Sequence, residues 1–485
     1  MKKISDLVKN KKFIWTVIAL WGIILISLHF TRIIDNNFWK DEYYSISLGN
    51  MSFWDLTYAT AHDVHPPLYY MILKVFILIF GNYGWVYHLV SLVPFILMVI
   101  VSLTVVWKDF GASASLILIT LCGTMNNAML NIIEVRDYEW AALFMLLSFL
   151  YAFRLFNYRS YSSGRIKNTI LLVVFSLLAA YTFYFCIIAI AVIYIALMIF
   201  ALKNKDIFKN VLLTWAFTFL AYLPWCIVFF LTLGGNQGKI FSFNSVGLID
   251  CVKDIFSTNF SYILLAIFLI ISILILVFEK EKAYKLWTLS GILAYIITAL
   301  IPYIISIVFS PIFTSKHLYP VDVIPWILLA VNVTRINLGN KKIIKSILVA
   351  VILVLTIPVG ILGLRRTLIE ENRINEKLNK FLELTNEMII EDNPVILSNE
   401  DMISLGIGKY YFPDSNRIFF DGTEKTNEPL EENLPPVIMM INQVDYENSE
   451  EMLKYCQDLG YKCERLIDRV FFGNYVVDLW KCTLP

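Results

Sequence analysis

Long apolar runs separated by short polar connectors fill the first three quarters of the chain. The runs are about twenty residues long, the length a helix needs to cross a hydrocarbon core about 30 Å thick. With their flanks they predict about eleven membrane-spanning helices. These lie near residues 13–34, 85–107, 112–130, 138–156, 169–182, 183–202, 211–232, 260–278, 286–309, 318–334 and 343–363. One further run, 66–80, differs. It opens on Pro66 and Pro67, suited to a helix first turn, closes at Gly81 and carries Lys74 within it. It reads as a helix lying at the membrane surface inside a long first loop, 35–84.

From about residue 365 the pattern changes. RRTLIEENRINEKLNKFLELTNEMIIED has the spacing of a charged amphipathic helix. Short apolar runs follow, PVILSN, RIFFDG and PPVIMMINQ, then the helical SEEMLKYCQDLGY and a strand pair around CERLI and NYVVDLW. Turn residues separate them, as in a small α/β domain of about 100 residues. The predicted organisation is a polytopic α-helical membrane domain over 1–363 and an α/β domain over 364–485. The second shows no nucleophile elbow, phosphate loop or metal motif, so it reads as a structural or acceptor-recognition module.

Composition removes the soluble alternative. Hydrophobic residues make up 58% and charged residues 16%, against about 45–50% and about 25% in globular domains. A net charge of +1 with no basic patch gives no footprint for nucleic acid. Seven cysteines show no metal spacing, and the sequence leaves open whether two of Cys456, Cys463 and Cys482 are bridged.

Charge also orients the chain. The basic start (Lys2, Lys3, Lys9, Lys11, Lys12) lacks a small-residue cleavage site, so the first run is expected to be a retained span. Alternate short loops then carry Arg159, Arg165 and Lys167; Lys203, Lys205 and Lys209; Lys280, Lys282 and Lys285; Arg335, Lys341 and Lys342. This bias places the N-terminus in the cytoplasm of a multi-pass cell-membrane protein. An odd number of spans puts the α/β domain outside.

Four polar clusters are candidates for chemistry, all expected on the outer side. Asp41 and Glu42 follow the first span amid Phe38, Trp39, Tyr43 and Tyr44, an aromatic rim at headgroup level. A partly desolvated carboxylate there suits a general base. His62, Asp63 and His65 lie before Pro66. The prolines disfavour a helical conformation at His65, so His62 and His65 stand only as candidates for a divalent ion, the one cofactor the sequence suggests. Contact with phosphate or sugar suits this loop better. Glu134, Arg136, Asp137 and Tyr138 open the fourth span, where Arg136 can pair internally or hold a phosphate in its forked donors. Lys316 and His317 stand at the outer end of the tenth span, with Asp322 just inside, as a place for an anionic ligand. Convergence of all four on one cavity is the simplest reading.

The acidic pair after the first span, the DVHPPLYY that follows and the surface helix resemble membrane glycosyltransferases of the GT-C fold, in particular glycosyltransferase family 39, the protein O-mannosyltransferase and aminoarabinose transferase group. The resemblance extends to VRDYEWAALFMLLSFLY, similar to the family's Arg-x-Tyr start of the fourth span, to SKHLYPVDVIPWILLA and to the small C-terminal domain. It implies transfer of a sugar from a polyprenyl-phosphate donor in the membrane lipid to an extracytoplasmic acceptor (a protein, lipid or envelope glycan), with inversion. It further implies Asp41 as base supported by Glu42, Asp63 and His65 shaping the loop, and Arg136 and Lys316 neutralising the lipid phosphate. Lys316 and His317 depart from the family's Arg-Tyr at the tenth span. The alternative is a transporter or flippase of lipid-linked sugars, but the chain shows no clear internal repeat and its ionisable clusters sit at a boundary, not the midplane.

Overall fold

The computed structural model describes residues 10–34, 37–158, 164–202, 205–232, 248–308, 313–336, 342–399, 417–420, 434–444, 449–472 and 475–485. Lys2, Lys3, Lys9, Arg159, Lys203 and Lys341 of the charge pattern lie outside them. The chain divides into two compact units, one of residues 1–33 and 51–365, the other of 34–50 and 366–485.

The first unit is helical. Among the described residues ten helices are long and apolar enough to cross a membrane, and nine of them belong wholly to this unit. They are α1 (Lys11–Phe30), α5 (Gly84–Phe110), α8 (Tyr138–Phe156), α9 (Arg165–Thr182), α10 (Phe185–Leu202), α11 (Lys205–Thr232), α13 (Ser261–Phe278), α14 (Lys282–Val308) and the segment Ser315–Arg335, a 3₁₀ turn leading into α15 (Tyr319–Arg335). The tenth is α16 (Lys342–Asp392), whose residues up to Arg365 belong to this unit and the rest to the other; a short helix, α12 (Leu248–Asp254), precedes α13. Local chemistry sets the ends. Asn10 caps α1 by accepting the amides of Lys12 and Phe13, and the extended Phe183 separates α9 from α10.

Ten of the eleven expected spans are present as helices of at least 18 residues, and the eleventh is shorter. The run expected to span 112–130 is a 13-residue helix, α6 (Ala112–Thr124), about 20 Å long at the helical rise. It stops because Met125 turns extended, and a separate short helix, α7 (Asn126–Asn131), follows. The expected surface helix is present as α4 (Leu68–Phe80), with Pro67 at its N-cap and Gly81 after its end at φ +93°, a conformation favouring glycine. Before it, α3 (Phe53–Ala61) is capped by Ser52, whose hydroxyl accepts the Asp55 amide.

Helices α8 and α15 are the centre of this unit: 89% of each apolar window is buried, against 17–50% for the others. They pack on one another and on α14, α10 and α13. Gly291 of α14 permits the close approach, since a Cβ there would stand 2.5 Å from Phe149 of α8 and 2.9 Å from Leu328 of α15. Polar bonds stitch the core, among them Trp287 Nε1 to the Phe149 carbonyl at 3.0 Å and the Ser148–Ser176 hydroxyl pair at 2.8 Å.

The second unit holds α2 (Lys40–Asn50) and a five-stranded sheet in the order β2-β1-β3-β5-β4. The strands are β1 (Val395–Ser398), β2 (Arg417–Phe419), β3 (Val437–Gln443), β4 (Lys462–Phe472) and β5 (Tyr475–Thr483), with α17 (Ser449–Asp458) between β3 and β4. β1 runs parallel to β2 and β3, and β5 antiparallel to β3 and β4. Each expected apolar run became a strand and the expected helix formed. Cys463 and Cys482, left open by the sequence, form a disulfide across β4 and β5. Cys456 remains a buried thiol, pushed up to about 12 by desolvation.

Candidate active site

Three of the four clusters meet within the first unit. The segment between α7 and α8 turns tightly, the Arg136 amide bonding the Glu134 carbonyl at 2.7 Å. Asp137 then occupies the N-cap position of α8, with no side-chain cap bond to the helix. Its carboxylate reaches sideways instead. Asp137 Oδ2 lies 3.1 Å from His65 Nδ1, and the Arg136 guanidinium meets His65 Nε2 at 2.8 Å. All three are buried, at 1%, 7% and 4% exposure for Asp137, His65 and Arg136.

This geometry fixes the imidazole. Arginine is only a donor, so Nε2 accepts and the ring proton sits on Nδ1, facing Asp137. Burial alone would raise the Asp137 carboxyl. The His65 ring and then the Arg136 guanidinium outweigh it and hold the carboxyl below the usual carboxylate range.

Aromatic faces complete the cluster. His65 stacks on Phe183 at 5.8 Å between centroids, Tyr138 meets Phe183 edge-on at 5.5 Å, and His317 packs against Phe185 at 5.5 Å. Arg136 and Lys316 each stand 5.8 Å from the Tyr138 ring centroid, within cation–π range. Below them, the Tyr319 hydroxyl donates to Glu139 Oε2 at 2.5 Å. That bond ties the first turn of α8 to the first turn of α15, and so the Arg136 segment to the Lys316–His317 turn. Two cations set against the Tyr138 ring, one of them, Arg136, beside the buried Asp137 carboxylate, can receive an anion without reorganising.

Asp63 stands in the same loop as His65. Its Oδ2 is buried without a hydrogen bond and acts electrostatically on Tyr184, whose hydroxyl accepts from Trp225 Nε1 at 3.1 Å. Desolvation first, then Asp63, push the Tyr184 hydroxyl up to about 12, against the Trp225 bond. His62 is exposed at the end of α3 and its Nδ1 faces the Tyr58 carbonyl at 2.9 Å. Among the described residues the only cluster of three ligand-type side chains with metal spacing is Cys456, Cys463 and Cys482, so His62 and His65 gain no third ligand.

Asp41 and Glu42 belong to the second unit, in the first turn of α2. Glu42 is buried and its Oε2 accepts the Trp39 amide at 2.9 Å, the reciprocal half of a capping box. Asp41, one residue earlier, is half-buried. Its backbone carbonyl accepts the Ser45 hydroxyl at 2.9 Å.

Phe183, Tyr184, Phe185, Glu139 and Tyr319 were not singled out from the sequence. The signal for the first three was the aromatic run at the break between two spans. Glu139 and Tyr319 carried none, since their pairing joins residues 180 positions apart.

No family model and no curated protein sequence matches the chain. Solved structures do. The crystal structure of ArnT from Cupriavidus metallidurans in the apo state aligns with TM-score 0.55 at 12% identity, covering 96% of this chain and 98% of that one. The same protein bound to undecaprenyl phosphate aligns with TM-score 0.56 at 11% identity, covering 96% and 97%. ArnT is an aminoarabinose transferase of the GT-C fold, and this chain shares that fold over nearly its whole length.

Proposed function

We propose that the protein is a membrane glycosyltransferase that moves a sugar from a polyprenyl-phosphate donor to an extracytoplasmic acceptor. The observation that carries this reading is the meeting of Arg136, Lys316 and His317 with His65 around the Tyr138 ring, from three distant stretches of a chain with the ArnT fold. The binding of undecaprenyl phosphate by ArnT supports the donor class.

In this reading Arg136 and Lys316 hold the phosphate as it leaves. Charge that grows on the leaving oxygen meets donors already in place, which lowers the barrier more than it stabilises the ground state. His65 and Asp137 orient the guanidinium. Asp41 is the base that takes the proton of the attacking acceptor hydroxyl, a role that rests on the resemblance of the first loop, and Glu42 holds the helix that carries it. Attack from the face opposite the phosphate gives inversion. The charge bias of the loops supports an N-terminus in the cytoplasm and the sheet-bearing unit outside.

A transporter of lipid-linked sugars draws on the buried carboxylates Glu139 and Asp322. Both sit in the first turn of their helices, not at the midplane where transport sites lie. Mass spectrometry of envelope glycans from a strain lacking the protein separates the readings and identifies the sugar. Transfer predicts loss of one sugar from one acceptor with its charged carrier lipid accumulating. Unchanged glycans would overturn the proposal.

A further inference from the structure

Helices α8 and α15 both begin at the histidine–arginine cluster and run away from it. Nineteen residues of α8 carry the chain about 28 Å to the other end of the bundle. There the first unit has an open cavity of about 740 Å³, within the range of small-ligand sites. Rings of Trp107, Phe110, Phe153 and Tyr284 line it, with Phe110 and Phe153 packed at 4.7 Å.

The charges around it are uneven. Asp109 is held by Arg154 at 2.9 Å, and Arg335 is shared by Glu279 at 3.0 Å and Glu281 at 2.6 Å. Lys11 and Lys108 also line the cavity, are exposed, and have no ion-pair partner among the described residues. Gly111 lines it too, at φ +91°, where a side chain would meet only open space. The first turn of α6 opens there with no side-chain cap, so its amides add to the positive side.

We propose that this cavity binds the phosphate headgroup of an anionic phospholipid, with Lys11 and Lys108 on the phosphate and the aromatic floor beneath the glycerol. A lipid source is favoured by position. The cavity lies at the ends of helices long enough to cross a membrane, where headgroups stand. The inference needs only the membrane fold and is independent of the proposed transferase activity.

Native mass spectrometry of the full purified chain in detergent tests it. Phosphatidylglycerol is added against phosphatidylcholine, with the K11Q/K108Q double variant and K12Q, an exposed lysine outside the cavity, as control. The wild type and K12Q should retain phosphatidylglycerol over phosphatidylcholine, and K11Q/K108Q should retain it on the order of tenfold less. Equal retention of the two lipids by the wild type, or unchanged retention by the double variant, would overturn the site. Displacement of phosphatidylglycerol by equimolar glycerol 3-phosphate would overturn the lipid as its occupant in favour of a soluble phosphate.

Discussion

At the scale of residues, the Asp137–His65–Arg136 chain carries two expectations. The Asp137 carboxyl titrates lower in the folded protein than in the unfolded chain. Its contribution to stability is therefore complete above the ordinary carboxylate value of about 3.9 and is lost as the pH falls through the folded value. Asp137→Asn should lower stability by about 2 kcal/mol at neutral pH, and the gap to wild type should close in acid. Thermal unfolding across pH checks this, and a gap that persists undiminished at low pH would show that the charge is not what matters. Arg136→Lys keeps the charge but loses the planar fork that reaches His65. It should weaken polyprenyl-phosphate binding about tenfold, measured by titration in nanodiscs, whereas unchanged affinity would remove Arg136 from the phosphate.

At the scale of elements, the two buried central helices are held in register by one hydrogen bond and one glycine. Tyr319→Phe removes the donor to the fully buried Glu139 and should cost about 1–3 kcal/mol. Gly291→Leu puts a side chain where Phe149 and Leu328 already stand, and overpacking should cost about 1–3 kcal/mol or more. Unfolding midpoints that match wild type would contradict this account of the packing. The elements themselves were largely legible. Ten of the eleven expected spans are present as long helices because length and hydropathy decide them. The eleventh, 112–130, is divided into α6 and α7 because Met125 turns extended, a break that hydropathy does not register. The surface helix was legible from its punctuation by Pro67 and Gly81.

At the scale of the whole molecule, the members of the polar cluster were legible in the sequence and their pairing was not. Arg136, Lys316, His317 and His65 were each visible as polar residues at the ends of apolar runs, and the fold does gather them. Their partners were not visible. Asp137 read as a neighbour of Arg136, not as the group facing His65, because a contact across 72 positions leaves no trace in spacing. Likewise the three late cysteines could not reveal that Cys463 and Cys482 pair, since the sheet register decides it. Closing a loop of 19 residues, that bridge should add about 3 kcal/mol to the second unit. The C463S/C482S variant of the full chain should accordingly be cut faster within residues 395–485 in limited proteolysis, and equal rates would show that the sheet does not depend on it.

The central claim is sugar transfer from a polyprenyl-phosphate donor with Asp41 as base. Its most direct test follows charged carrier lipids from the native membrane by mass spectrometry during incubation with the purified chain and acceptor extract in nanodiscs. The wild type should consume one charged lipid and release polyprenyl phosphate, while Asp41→Asn should bind the same lipid and turn it over about 10²–10⁴ times more slowly. Consumption by Asp41→Asn at the wild-type rate, or none by the wild type, would contradict the account.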